Sequence, residues 1–202
     1  MRVYLPATTT VLRALVTEGH LPEPQRGFAV TPGLRDFYAT GEAEPDVEDL
    51  EYAALLSAAR SSLRLLDVDP GAHRRRVVVA ADVPDAGVQP IDDPDAERGE
   101  VEVSAPVTLA EVASVHVDGA DAEEDVRAAV GVVLEADLGS DDAQFVVDQA
   151  EGHELAWFAT QEISPLLELK MLFCSNSYQS CISLHGALHA LRGARLGVIE
   201  IT

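Results

Sequence analysis

Lysine is almost missing from this chain of 202 residues: Lys170 is the single one, and it lies near the end. A phosphate-binding loop needs a Gly-Lys-Ser/Thr step, a protein kinase needs a strand lysine, and a pyridoxal enzyme needs a Schiff-base lysine. The first 169 residues offer none of these, which sets the three classes aside. Neither a Gly-x-Gly pair nor a Gly-x-Ser-x-Gly elbow occurs, so the dinucleotide and hydrolase signatures are lacking as well. His153 and Glu154 begin like a zinc-protease helix, but the chain continues Leu-Ala-Trp with no second histidine. Cysteine is limited to Cys174 and Cys181, without disulfide-dense spacing, which points to a reducing compartment. No run of about eighteen apolar residues would span a membrane. The start, MRVYLPATTT, lacks the basic and then apolar pattern of a secretory signal. A cytoplasmic protein is therefore expected, with no membrane partner and no cofactor.

Acid is what the chain has in excess. It carries 35 Asp and Glu against 14 Lys and Arg, a net charge of −21. Such a chain repels nucleic acid and anionic lipid unless its arginines gather on one face. Solubility explains the excess more simply than a basic partner does. With 47% hydrophobic residues the chain can bury a full core in one domain.

The pattern of elements is legible along most of the chain. Residues 2–6 (RVYLP) read as a strand with Val3 and Leu5 on one face and Tyr4 on the other. Thr8 or Thr9 can cap a helix carrying Val11, Leu12, Leu15 and Val16, stopped by Gly19. Thr31 and Pro32 open a second helix, with Leu34, Phe37 and Tyr38 on its apolar edge. Residues 46–66 form the longest helical pattern, with acids in the first turns and Arg60 and Arg64 near the end, as the helix dipole favours. Arg74, Arg75 and Arg76 lead into VVVAADV, the clearest strand, and read as a solvated strand entry rather than an anion site.

Residues 84–99 read as an acidic loop, VEVSAPV as an edge strand, Leu109 and Val112 as a helical turn, and ASVHV as a strand. Asp121 with Glu124 has capping-box spacing before a helix whose buried stripe is Val126, Ala129, Val130, Val133 and Leu134. Ser140 caps a further helix that carries Phe145, Val146 and Gln149, and Gly152 is expected to end it in the left-handed conformation. Residues 155–160, which include the only tryptophan, Trp157, read as an apolar strand inside a sheet with the ring buried. A helix through Leu155, Phe158, Ala159 and Ile163 is the alternative. The order matches an α+β fold, an antiparallel sheet with helices on one side, in the split β-α-β pattern of ferredoxin-like folds.

Several phrases occur together: RVYLPAT, FAVTPGLRDFY, EYAALLSAA, RRRVVVAADVPD, VASVHVDGADAE and DDAQFVVDQAEGHELAWFATQEI. In them the chain resembles a family of small actinobacterial proteins of unknown function, over about residues 1–168. The resemblance implies an intracellular actinobacterial protein. It supplies no functional residues to carry over.

Residues 169–202 break from that pattern. The only Lys, the only Asn (Asn176) and both Cys lie between positions 170 and 181. Residues 1–168 carry 11 basic and 34 acidic groups, net −23, whereas residues 169–202 carry 3 and 1, net +2. Two coding histories would explain the change, so residues 1–168 are read as one α+β domain and residues 169–202 as a tail outside it.

Two groups of residues offer chemistry. In the tail, Cys174, Cys181, His185 and His189 are zinc-ligand types, but only three residues separate Cys181 from His185, and a helix would set Cys181 and His189 about 12 Å apart. No metal site is expected there. In the domain, His116 and Asp118 share one strand face with Asp121 just beyond, and His153 and Glu154 follow later. A histidine bonded to backbone and carboxylates at a helix start explain the first three without catalysis. Asp82 ends a neighbouring strand, and an antiparallel pairing would place it at the opposite edge from Asp118.

A non-catalytic cytoplasmic binding or regulatory protein, acting through a protein surface, is the function expected. An enzyme of unrecognised type, with carboxylates and His116 or His153 as acid–base groups, is the alternative. An acidic mimic of nucleic acid is the third, and it fits poorly. The acids at 42–51, 92–102, 121–125 and 141–142 follow helix starts and loops rather than a phosphate-like stripe. Ending the chain after Glu168 should leave the melting temperature unchanged within about 3 °C, since about 1 kcal/mol shifts a domain of this size by roughly 2–4 °C. A drop beyond about 10 °C in the same scan would show that the tail packs into the core.

Overall fold

Alternation of side chains builds the centre of the sheet. In β1 (Arg2–Ala7) Val3, Leu5 and Ala7 are fully buried on one face, and Tyr4 is buried on the other. The computed structural model describes residues 1–21, 25–39, 45–91, 93 and 96–173, with backbone alone for residues 169–173. By its contacts the chain divides into two units, Met1–Glu168 and Leu169–Thr202. The architecture that follows is that of the first.

β1 is flanked by β3 (Gln25–Ala29) and β4 (Val77–Asp82), both antiparallel to it. β4 continues to β8 (Val112–Asp118), and β8 to β9 (Leu155–Ala159) at one edge. On the other side β3 pairs with β6 (Glu100–Val103), and β6 with β5 (Val88–Pro90). The seven strands run β5-β6-β3-β1-β4-β8-β9 with every pairing antiparallel. β2 (His20–Leu21) and β7 (Val107–Thr108) form a separate two-stranded ribbon.

Seven helices are present among the described residues. α1 (Thr9–Glu18) starts where the Thr8 hydroxyl accepts from the Val11 N–H, and it ends at Gly19 with φ 82°. α2 (Pro32–Tyr38) is capped by Thr31, and α3 (Val47–Val68) by Asp46. α4 (Glu123–Val130), α5 (Val133–Asp137) and α6 (Asp141–Glu151) fill the connection between β8 and β9, and α7 (Ile163–Phe173) follows β9. None of the helices among the described residues is long and apolar enough to cross a membrane.

The chain is α+β with an antiparallel sheet, but its helices cover both faces rather than one. Leu12 and Leu15 of α1 and Ile163 and Leu166 of α7 join Val3, Leu5, Val79 and Val115 in one core. On the opposite face, Leu50, Ala54 and Ala58 of α3 cover Tyr4, Phe28 and Val78. Burying both faces explains why β4 is a near-continuous apolar run. A third core joins Leu63 and Leu66 at the end of α3 to Val126, Val133 and Val147 of α4, α5 and α6.

The ferredoxin-like arrangement is not the one formed. β3 and β4 do make one split β-α-β unit around β1, through α2 and α3. The second unit is lacking because β8 and β9, joined through α4–α6, are direct antiparallel neighbours.

Other differences have local causes. β3 has a weak strand pattern because Gly27 stands in the middle of its five residues, QRGFA. β5 is a short strand within the acidic loop, and by pairing with β6 it removes that strand from the edge. Leu109 and Val112 do not form a helical turn. Glu111 accepts from both the N–H and the hydroxyl of Thr108, closing a turn from which β8 starts at Val112. Asp121 does not cap α4, whose N-cap is Ala122 with no side-chain bond. The helical stripe breaks between α4 and α5 and leaves Leu134 exposed. Gly152 ends α6 at φ −67°, in the right-handed region, whereas Gly139, before Ser140, takes φ 93°.

Gly27 sits where only glycine fits. A Cβ there would lie 2.7 Å from Leu5 Cδ2, 2.9 Å from Val3 Cγ1 and 3.0 Å from the Tyr4 carbonyl oxygen. The carbonyl belongs to the central strand and cannot yield, so Gly27→Ala should cost about 1–3 kcal/mol, as overpacking does. Thermal melting checks this: a fall of roughly 3–10 °C is expected, and an unchanged melting temperature would mean the two strands can separate without cost.

Candidate functional site

Arg76 is the last residue before β4, and its side chain is fully buried rather than solvated. Three arginines in a row raise the expectation of exposure, but each has a partner. Arg74 donates to the Leu66 carbonyl near the end of α3 at 2.5 Å, where the helix dipole welcomes a cation. Arg75 lies 3.5 Å from Glu123. Arg76 turns inward to Asp118, the last residue of β8, whose side chain is equally buried. Nη2 donates to Asp118 Oδ1 at 2.8 Å and Nε to Oδ2 at 3.0 Å. The Arg76 backbone N–H adds a bond to Oδ2 at 2.7 Å, and the Asp118 N–H returns one to the Arg76 carbonyl. Nη2 also reaches the His153 carbonyl at 2.8 Å. Of the guanidinium nitrogens, Nη1 has no partner among the described residues.

A second ionic cluster lies beside it. Arg60 of α3 binds Glu151 at 2.7 Å and Asp137 at 3.0 Å, and Arg64 binds Asp137 at 2.7 Å and Glu97 at 2.8 Å. These pairs tie α3 to α5, α6 and the segment before β6. Hydrogen bonding from Arg64, and then from Arg60, holds the Asp137 carboxyl below the usual carboxylate range despite partial burial. Between the two clusters is a cavity of about 200 Å³ lined by Leu56, Ser57, Arg60, Arg76, Glu97 and Glu151.

The structure separates the five candidate residues of the domain into different roles. Asp118 is spent on Arg76. His116 points from the same strand face, is half-buried and bonds Ser114 Oγ at 3.3 Å. Burial, and then the nearby Arg2 charge, lower its pKa from the ordinary 6.5, so the ring is neutral at pH 7. Its cross-strand partner is Trp157. His153 is held between two carboxylates, Nε2 2.7 Å from Asp125 and Nδ1 3.9 Å from Asp121, whose side chain is largely exposed. Glu154 is exposed and lines a cleft of about 290 Å³ with Tyr52, Leu55, Leu56, His153 and Leu155. Only His153 and Asp121 are thus brought together, and both His153 nitrogens face carboxylates instead of a nucleophile. Asp82, which pairs with Arg2, lies at the opposite end of the β4–β8 pair from Asp118.

Trp157 is not buried. Its side is the edge of the sheet, and the residue is 60% exposed. The Ala159 N–H, on the outer side of β9, is taken by the Glu162 carboxylate at 2.9 Å. By the period of two, the backbone N–H and C=O of Trp157 face that same outer side. Arg76 and Asp125 are the residues missed in the sequence. Their partners lie 42 and 28 positions away, and only the fold joins them.

Among the described residues no group of three or more His, Cys, Asp or Glu could hold a metal ion. Cys174, Cys181, His185 and His189 lie outside the described residues.

A family model described as a family of unknown function (DUF6912) matches residues 1–167. No curated protein and no solved structure matches the chain.

Removing Asp118 leaves the Arg76 charge buried without compensation. Asp118→Ala should therefore cost about 3–5 kcal/mol in denaturant unfolding. Replacing both partners, as in Arg76→Met with Asp118→Leu, should recover at least half of that, because no charge then remains buried. A single-variant cost below about 1 kcal/mol would mean that water reaches the pair.

Proposed function

We propose that this chain, which belongs to the DUF6912 family of unknown function, is a non-catalytic binding or regulatory protein acting through a protein surface. The surface is the outer edge of β9, and the occupant is an extended, basic segment of a partner protein. The carrying observation is Trp157. The only tryptophan of the chain stands exposed on an edge strand where its own N–H and C=O, on the outer side, have no partner among the described residues, while the Ala159 N–H is taken by Glu162. A bare edge strand is a template for another strand, and an exposed aromatic beside it supplies the side-chain anchor that interfaces favour.

Two further features support the reading. The cleft lined by Tyr52, Leu55, Leu56, His153, Glu154 and Leu155 lies at the start of β9, and offers the side chain at one end of an added strand a partly apolar place to lie. Glu154 and Glu162 bracket LAWFA at its two ends, in a chain of net charge −21, so a basic segment is the complementary one. Cytoplasmic location and an actinobacterial source belong to the same proposal and rest on the sequence resemblance and composition. The arrangement of His153 favours structure over catalysis, since Nε2 is bound by Asp125 at 2.7 Å, which ties the start of β9 to α4.

The test begins with affinity capture by the full chain from its native cytoplasm. The recovered partner is then titrated against the wild type and against Trp157→Ala, which should melt within about 2–4 °C of the wild type because the ring is mostly exposed. A loss of affinity of about thirtyfold or more is expected for the variant, the size of an interface hot spot. Raising salt from about 50 to 500 mM should weaken the complex further. A partner that binds both forms equally would overturn the reading.

A further inference from the structure

We propose that Glu162 is a latch on the outer edge of β9: its carboxylate holds the Ala159 N–H that an added strand needs, and a cationic side chain on that strand draws it away. The inference rests on the reading of β9 as a docking edge, and it says how that edge selects its occupant. Of the outer N–H groups of β9, that of Trp157 has no partner among the described residues, whereas that of Ala159 donates to Glu162 Oε2 at 2.9 Å. An added strand pairs with the outer groups of every second residue, so pairing that reaches past Trp157 meets a closed group. The bond also has a local role, since a glutamate that reaches back to the N–H ahead of its own turn is half of a capping box. The turn itself, Thr160–Glu162, is pinned by other contacts. The Thr160 hydroxyl donates to the Val112 carbonyl at 2.6 Å, and Ile163 is buried in the core. Glu162 is exposed, so its side chain can swing away while the turn stays in place.

Charge decides what opens the latch. An incoming backbone carbonyl competes for the Ala159 N–H with a carboxylate, the stronger acceptor, so a neutral strand gains nothing by displacing it. A lysine or arginine on the strand offers the carboxylate an ionic partner in exchange. The N–H then passes to the strand, and no bond is lost. A second copy of this chain cannot make that exchange through its own β9. Residues 153–168 contain neither lysine nor arginine, and they bring Glu154 and Glu162 instead. An unguarded edge invites self-pairing; this one is shut to its own copy and open to a basic segment.

Amide-resolved NMR titration of the full chain tests this with two short synthetic peptides, one alternating valine with lysine and the other valine with glutamate. The lysine peptide should shift the Trp157 and Ala159 amides with a Kd below about 5 mM, and the glutamate peptide should bind at least about tenfold more weakly. Glu162→Gln keeps an acceptor on the Ala159 N–H but has no charge to draw off. The lysine peptide should bind it at least about tenfold more weakly than the wild type. Glu162→Ala leaves the N–H open and should bind within about threefold of the wild type. In the unbound chain the Ala159 amide should be protected from exchange relative to that of Trp157, in the wild type and in Glu162→Gln but not in Glu162→Ala. Tighter binding by Glu162→Ala than by Glu162→Gln is the signature of a latch. A purely local cap would favour Glu162→Gln, and attraction by charge alone would weaken both variants equally. Either of those results, or equal exchange of the two amides in the wild type, would overturn the latch and leave the docking edge standing. A lysine peptide that moves neither amide would overturn both.

Discussion

The buried pair of Arg76 and Asp118 sets the geometry on which the rest of the domain depends. It closes the β4–β8 pairing at the end where β4 meets α3, with backbone and side-chain bonds running in both directions. Through Nη2 and the His153 carbonyl it also fixes where the chain leaves α6 and enters β9. Desolvating two charges is expensive, and a pair this buried adds little or nothing to stability beyond what a well-packed apolar pair would give. Its worth is positional. An arginine has one place where its fork meets both Asp118 oxygens, and a slipped β4–β8 register would leave two charges buried apart. The edge strand and both concave regions therefore inherit their positions from one ion pair.

Around that pair, charge is used locally. Glu123, Glu124 and Asp125 occupy the first turn of α4, Asp141 and Asp142 that of α6, and Glu48 and Asp49 that of α3, where the helix dipole favours them. Arg60 and Arg64 gather Asp137, Glu151 and Glu97, clamping α3 to the helical layer that carries the third core. Much of the acidic excess thus belongs to caps and clamps. What remains for a partner is the exposed acid beside β9.

Elements whose signal is local were legible. The alternation of β1, the apolar run of β4 and the long face of α3 all appear where their patterns place them, and Thr8, Thr31 and Ser140 cap their helices. Elements whose signal depends on a distant neighbour were not. Gly27 weakens the β3 pattern because β1 needs the space. The exposure of Trp157 is invisible in LAWFA, since a strand apolar on both faces reads the same at an edge as inside a sheet. For the candidate site, Asp118 and His153 stood out as titratable groups near strand ends. The residues that define their roles, Arg76 and Asp125, lie on elements that only the fold brings close.

Backbone amide hydrogen exchange across β4, β8 and β9 tests the central claim most directly: a rigid seam at Arg76–Asp118 beside an open outer edge at Trp157. The Arg76 and Asp118 amides, bonded into the pair, should exchange only through global unfolding. The Trp157 amide should exchange at least about a thousandfold faster, as an unpaired edge group does. Protection of Trp157 equal to that of Arg76, or exchange of Arg76 and Asp118 at the rate of exposed amides, would contradict it.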